Sequence, residues 1–220
     1  MASQRADVLI KGGLTVTGTG INRRDVLVGG GLILELDSDL GSREANRIID
    51  ATGKYVLPGA IDAHAHPVYS DKMDNYSISA AFGGVTTVLA FVGNVASWGF
   101  DGYVTDLVKG FIEEGERISY LDFGVHGTLT ATDEGTLKQS IPELIRMGVP
   151  SFKVFMSYKR RGMMISDEAM LQAMDLASKD GGLTMVHAET GCCIEYLTQK
   201  FEKQGKTGPE WFLPAQPNIL

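Results

Sequence analysis

Two histidines separated by one residue are the first sign of chemistry in this sequence. His64 and His66 stand in the segment PGAIDAHAHP, at the end of an apolar run, and the whole chain has only four histidines. Because strand side chains alternate between two faces, both imidazoles should point the same way, with Ala65 opposite. Two converging neutral imidazoles form half of a zinc-type site. The pair alone fits two buried, hydrogen-bonded histidines equally well.

Lys153 raises the case for a metal site. It lies in the apolar segment SFKVFMSY, between Phe152 and Val154. An unpaired ammonium loses its hydration when it is buried, so burial beside metal ions would lower the pKa and leave a neutral amine. Such an amine can capture carbon dioxide as a carbamate, which is anionic and has two oxygens able to bridge two metal ions. The alternative is an edge lysine whose ammonium reaches solvent past the strand end.

A third histidine ends another short apolar strand. His187 closes the segment GGLTMVH, at the same level as the pair and the lysine, so the metal interpretation becomes the favoured one. Glu189 is placed to orient this imidazole from behind. His126 is expected to be a hydrogen-bonded core or rim histidine, and Cys192 and Cys193 are expected to be inert thiols or surface positions on a helix.

The surrounding elements predict how these side chains come together. Residues 1–57 contain short apolar runs broken by glycines, a pattern typical of a small all-β unit. Residues 58–220 alternate strand-like and helix-like runs in five βα units, which predicts an α/β fold with a parallel sheet. Unchanged winding favours a (β/α)8 barrel of the TIM type, whose active sites lie at the C-terminal strand ends. Such a barrel needs eight strands and about 250 residues, so we expect an incomplete barrel from a longer protein.

Composition excludes several classes of partner. The formal net charge of −7 and the pI near 5.1 argue against nucleic-acid binding, which needs a clustered basic surface. No apolar stretch is long enough to cross a bilayer, and the first residues lack the apolar core of a signal peptide. The two adjacent cysteines are poor partners for a disulfide. The sequence therefore predicts a protein of the reducing cytoplasm that binds neither nucleic acid nor membrane.

Four segments together resemble a known family. VLPGAIDAHAHP, GGVTTVLAF, FKVFMSYK and VHAE are similar to segments of the hydantoinase/dihydropyrimidinase family of the metal-dependent amidohydrolase superfamily. The resemblance covers the whole chain, and FKVFMSYK is its most specific part, since the H-x-H pair is shared across the superfamily. It implies a TIM barrel with a small β-sandwich made from both termini, and assembly as a homotetramer at full length.

The resemblance also implies roles for individual residues. His64 and His66 would bind one divalent ion, His187 would bind a second, and Lys153 as N6-carboxylysine would bridge the two, with Zn²⁺ the expected metal. Tyr158 matches the tyrosine that polarises the substrate carbonyl. The expected reaction is opening of a hydantoin or dihydropyrimidine, a cyclic amide or ureide, to an N-carbamoyl amino acid. A further metal-binding histidine and a catalytic aspartate would lie on later strands, after Leu220.

Three alternatives stay open at this point. An allantoinase or dihydroorotase would share the superfamily, although Tyr158 favours hydantoinase-type chemistry. A nonenzymatic dihydropyrimidinase-like protein would be expected to lose metal ligands, and every ligand that this chain is long enough to carry is present. An inactive truncated fragment is the third. The loop after the H-x-H pair, residues 67–84, is shorter than is usual in the family, which leaves the preferred ring open.

Overall fold

The computed structural model describes residues 6–67 and 71–218, apart from the side chain of Thr132. The chain divides into two compact units, Met1–Gly59 and Ala60–Leu220. Residues 68–70, which belong to the shortened loop of the sequence analysis, lie outside the described residues. No helix in the described ranges is both long and apolar enough to cross a bilayer.

The first unit is rich in β-structure, as predicted. Its strands in the described range are β1 (Ala6–Lys11), β2 (Leu14–Thr17), β3 (Gly20–Arg23), β4 (Asp25–Gly29), β5 (Leu32–Asp37), β6 (Ala45–Asp50) and β7 (Tyr55–Val56). They form a four-stranded sheet in the order β5-β4-β1-β6 and a three-stranded sheet in the order β3-β2-β7. Gly30 and Gly31 connect β4 to β5 with φ values of 59° and 76°, the pair of positive angles that a tight type I′ hairpin turn requires.

The second unit contains a parallel sheet of five strands within the described residues. The strands are β8 (Ala60–Ala65), β9 (Val85–Gly93), β10 (Asp122–Thr128), β11 (Ser151–Phe155) and β12 (Leu183–His187). Each pairs in parallel with the next along the chain, so the spatial order is the chain order. The sheet curls as half a barrel, and the predicted α/β class with five βα units is therefore confirmed.

Helices follow the strands, with some differences from the predicted bounds. They are α1 (Met73–Phe82), α2 (Val104–Ile118), α3 (Leu137–Arg146), α4 (Asp167–Lys179), α5 (Gly191–Glu202) and α6 (Phe212–Ala215). The sequence pattern by itself predicts a helix here only over residues 78–82. Helix α1 begins at Met73 because a polar side chain in its first half is used in tertiary contact: Tyr76 Oη donates to Asp62 Oδ2 at 3.0 Å. The sequence pattern also predicts a helix from about Glu134 to Met147, but residues 131–136 form a 3-10 turn before α3.

The two faces of the parallel sheet have different environments. Ala90, Val92, Phe152 and Val154 are buried against helices, together with Val108, Ile141 and Leu144 from α2 and α3. Because neighbouring residues of a strand point to opposite faces, the residues between them point to the inside of the curl. The apolar core thus lies between the sheet and its helices, and the inner face is left for other side chains.

Candidate metal centre

Strand register brings the predicted site residues onto one face. In the parallel ladder Phe91 pairs with His126, Thr128 with Lys153, and Phe155 with His187. All of these alternate with residues that pack against helices, so they belong to the inner face. Phe91, His126, Thr128, Phe155 and His187 lie in the C-terminal halves of their strands and Lys153 at the middle of β11, towards the end at which barrel enzymes carry their active sites.

The first group of side chains surrounds the ring of Phe91. The ring centroids of His64 and His66 lie 4.5 and 5.0 Å from that of Phe91, and 5.2 Å from each other. Lys153 Nζ lies 5.9 Å from the same centroid. The H-x-H pair therefore converges as predicted, on a buried aromatic ring that the sequence analysis did not single out. The sequence could have indicated Phe91 only as an aromatic residue at an inner-face position of β9.

The second group surrounds the ring of Phe155. His187 and Tyr158 lie 5.8 and 5.9 Å from its centroid, and their own rings are 5.0 Å apart. Lys153 Nζ is 5.4 Å from this ring as well. The predicted residues therefore form two groups, His64 with His66 and His187 with Tyr158, and the lysine amine lies against the central ring of each.

Burial favours the neutral form of Lys153, and burial together with neighbouring charges favours the neutral form of His66. Desolvation lowers the pKa of Lys153, and no described carboxylate forms an ion pair with its ammonium. Desolvation also lowers the pKa of His66, and the charges of His64 and Lys153 lower it further. Metal ions bind imidazole and carbamate only in deprotonated forms. The local electrostatics thus suit metal ligands.

His126 is a core histidine, as predicted. Its Nε2 lies 3.3 Å from the carbonyl oxygen of Ala63, to which only a protonated nitrogen can donate. Its Nδ1, 2.6 Å from Ser151 Oγ, then accepts from that hydroxyl. Burial is the main cause of its lowered pKa. With both nitrogens bonded, this imidazole has a structural role within the sheet.

His187 has the carboxylate partner that the sequence predicted. Its Nε2 is 2.9 Å from Glu189 Oε2, and both side chains are about one-third exposed. A carboxylate hydrogen-bonded to one ring nitrogen fixes the orientation of the imidazole and increases the basicity of the other nitrogen. Cys192 and Cys193 lie nearby on α5, where both are exposed and free.

Tyr158 is held in an unusual backbone conformation. Its φ of 64° is the only positive value of a non-glycine residue within the described ranges. The guanidinium carbon of Arg161 lies 5.2 Å from the centre of the tyrosine ring. Arg160 binds Glu195 and Glu202 of α5 at 2.8 and 2.7 Å, which links the turn after β11 to the next helix. The tyrosine ring therefore lies beside both His187 and Arg161, in a turn that Arg160 links to α5.

The two metal ions that the resemblance implies would need several ligands close together. No three His, Cys, Asp or Glu side chains in the described ranges cluster closely enough to hold an ion by themselves. The imidazoles are therefore insufficient alone, and the inner face supplies one more candidate, the desolvated amine of Lys153. As a carbamate it would add two anionic oxygens beside the rings that both histidine groups surround. With that modification, the inner face would offer candidate ligands for two ions.

Fold and site together define a parallel α/β protein with candidate metal ligands on the inner face of its sheet. No protein-family model matches the chain. Comparison with curated proteins finds D-hydantoinase from Ralstonia pickettii, 36% identical over 96% of this chain and 46% of that protein. Dihydropyrimidinase from Arabidopsis thaliana is 31% identical over 97% of this chain and 40% of that protein. A solved D-hydantoinase structure superimposes with a TM-score of 0.81 at 35% identity, covering 97% of this chain and 46% of that one.

These relatives match nearly the whole of this chain, and their names describe the same family. The chain belongs to the hydantoinase/dihydropyrimidinase family. It spans about half the length of the curated relatives it matches.

Proposed function

We propose that this chain carries the metal-binding part of a hydrolase that opens a cyclic amide, a hydantoin or a dihydropyrimidine, to an N-carbamoyl amino acid. The single observation that carries the proposal is the position of Lys153, whose amine lies 5.9 Å from the centre of the Phe91 ring and 5.4 Å from that of Phe155, the rings that the two histidine groups surround. The names of the relatives, D-hydantoinase and dihydropyrimidinase, supply the substrate class. The fit to the allantoinase and dihydroorotase alternatives is weaker, since neither name occurs among these relatives.

The metal ligands follow from the two groups. His64 and His66 would hold one divalent ion and His187 the other, with Zn²⁺ the expected metal. The neutral amine of Lys153 would form an N–C bond to the carbon of CO₂, as one C=O electron pair moves to oxygen and a proton leaves the nitrogen for water. The resulting N6-carboxylysine would contribute one oxygen to each ion. When bound, such ions supply a hydroxide nucleophile near neutral pH.

The remaining residues would bind and orient the substrate. The Tyr158 hydroxyl would donate a hydrogen bond to the ring carbonyl oxygen as negative charge develops there. Glu189 would keep the His187 imidazole in its orientation through the bond at 2.9 Å. Proton transfer to the leaving nitrogen would use an aspartate that the resemblance assigns to a later strand. At full length we expect a closed (β/α)8 barrel with a β-sandwich, cytoplasmic location and a tetramer.

Metal analysis combined with hydrolysis of a panel of cyclic amides tests the proposal. The measurement uses this chain and the same chain lengthened to the span of its relatives, with hydantoin, dihydrouracil, allantoin and dihydroorotate. We expect about two divalent ions per lengthened chain and hydrolysis of hydantoin or dihydrouracil. A lengthened chain that binds no metal would favour the nonenzymatic alternative, and preferred hydrolysis of allantoin or dihydroorotate would favour the other amidohydrolases.

A substitution at the central lysine gives the sharper test. Lys153→Ala should lower metal affinity and the hydrolytic rate by about 100-fold or more, because it removes the bridging ligand. Lys109→Ala is the matched control, since Lys109 is an exposed lysine on α2, paired with Glu113 at 3.9 Å. Full metal content and full rate in Lys153→Ala would refute the carbamate.

A further inference from the structure

Thr128 has a buried hydroxyl without a partner at the end of β10. The residue is 1% exposed, and its Oγ1 makes no hydrogen bond to any residue that the structure describes. A buried hydroxyl without a partner loses its interactions with water and gains nothing in return, so such groups are rare in proteins. The hydroxyl of Thr128 is therefore a candidate to bind a group that the unmodified chain does not contain.

Strand register places this threonine beside Lys153. The two residues are Cα partners in the parallel ladder of β10 and β11, and neighbouring strands lie about 4.8 Å apart. The preceding pair, Gly127 and Phe152, faces the helices, because a Cβ on Gly127 would lie 3.3 Å from Leu144 Cδ1. The side chains of Thr128 and Lys153 consequently share the inner face.

The strand on the other side offers no alternative partner. The register partner of Thr128 on β9 is Gly93, which has no side chain. A Cβ at Gly93 would collide with the carbonyl oxygen of Thr128, so the two strands approach closely at this level. Of the two register partners of Thr128, only Lys153 has a side chain, and a carbamate on its nitrogen would supply an oxygen that accepts from the hydroxyl.

We propose that Thr128 donates a hydrogen bond to the carbamate that forms on Lys153 and so stabilises this modification. The inference rests on the proposed function, which supplies the carbamate. A hydroxyl that donates to an anionic oxygen makes a stronger bond than one between neutral groups, and burial increases its strength. Thr128 acts through the modified lysine and does not contact the substrate, so it is a positioning residue.

The test replaces the hydroxyl and follows the modification directly. Thr128→Val removes the donor with little change of shape, and Thr128→Ser is the matched control that keeps it. The full-length protein is titrated with ¹³C-bicarbonate, and the carbamate carbon is observed by NMR while bound metal is measured in parallel. We expect Thr128→Val to need about tenfold more bicarbonate for the same carbamate signal, and Thr128→Ser to resemble the unaltered protein.

Stability without bicarbonate separates this role from a structural one. If the hydroxyl has no partner in the unmodified chain, Thr128→Val should be at least as stable as the unaltered protein when bicarbonate and metal are absent. A loss of stability there would show a structural partner and overturn the inference. If Thr128→Val and the unaltered protein need the same bicarbonate concentration for the carbamate signal, only the inference about Thr128 is overturned. If the unaltered protein forms no carbamate at all, the proposed function is overturned as well.

Discussion

At the scale of single residues, Asp133 shows opposing influences on one carboxyl group. It lies in the 3-10 turn after β10, is 2% exposed, and accepts hydrogen bonds from Thr130 N at 2.8 Å and Thr130 Oγ1 at 3.2 Å. Burial raises its pKa, and the two hydrogen bonds lower it. Burial has the larger effect, and the pKa is about 6 in place of 3.8. The folded protein therefore holds this proton more tightly than the unfolded chain does.

Asp133 should make stability depend on pH in mildly acidic solution. Between pH 4 and 6 the folded state binds more protons at this site, so the free energy of unfolding falls as the pH rises, and is constant for this group above pH 6. This fall in the free energy of unfolding is about 3 kcal/mol. In Asp133→Asn, urea unfolding should show no such fall between pH 4.5 and pH 7, because the amide has no carboxyl group to titrate and its oxygen still accepts from Thr130. Asp106→Asn, at an exposed position of α2, is the control; an equal loss in all three proteins would contradict the assignment.

Lys153 shows what the sequence could and could not predict about a site residue. The sequence placed this lysine in a strand and ascribed its desolvation to the apolar residues beside it. In the structure Phe152 and Val154 pack against helices on the opposite face, and the rings near Nζ are Phe91 and Phe155. The residue could be identified from its neighbours in sequence. The cause of its lowered pKa could not, because Phe91 reaches it across two strand pairings.

At the scale of elements, helix α4 begins at a serine that both accepts and donates a hydrogen bond. Ser166 Oγ accepts from Ala169 N at 3.2 Å, and its own backbone N donates to Glu134 Oε1 at 2.6 Å. Asp167 and Glu168 add negative charge to the first turn, where the helix dipole favours it. A serine followed by two acidic residues is typical of a helix start, so the sequence predicts a helix that begins at Ser166, and the structure confirms this start.

Loss of this cap should have a measurable effect on stability. Ser166→Ala leaves the N–H of Ala169 without its acceptor, and we expect the free energy of unfolding to fall by about 1 kcal/mol. Ser166→Asp should recover most of it, since a carboxylate also caps a helix. Ser178→Ala, in the last turn of the same helix, should change stability by less than about 0.5 kcal/mol. Urea unfolding measures all three, and similar losses at positions 166 and 178 would refute the cap.

Helix α1 and the turn before α3 show why other bounds could not be predicted. The first half of α1 has no apolar period, and Ser77 in it is buried because its Oγ accepts from Tyr120 N at 3.1 Å, a contact 43 residues away in sequence. Residues 131–136 instead form a 3-10 turn because Asp133 bonds back to Thr130. The period of apolar residues in a sequence indicates which face of a helix or strand is buried. The start of α1 and the 3-10 turn depend on polar hydrogen bonds, so this period could not predict them.

At the scale of the whole molecule, the parallel sheet has two edges within the described residues. There β8 pairs only with β9, and β12 only with β11. An edge strand offers unpaired N–H and C=O groups, which favour pairing with another chain. Ile61 on β8 and Leu183 on β12 are 66% and 63% exposed, so apolar surface accompanies both edges.

This chain by itself should therefore associate with itself as its concentration rises. Sedimentation velocity should show larger species at higher concentration, and Leu183→Lys should reduce them, because edge lysines oppose strand pairing. Leu171→Lys is the matched control, a leucine on α4 that is also 63% exposed. A single monomeric species at every concentration, or equal effects of the two substitutions, would argue against association through this edge.

The backbone at Tyr158 sets stability against the substrate-binding role that we propose for its phenol. A left-handed conformation costs a residue with a side chain about 1 kcal/mol relative to glycine. Any selection for heat resistance in this protein would accordingly favour glycine at that position, and the winning variants would lack the phenol. Engineering for thermal stability should therefore leave Tyr158 in place wherever its proposed contact with the substrate is wanted.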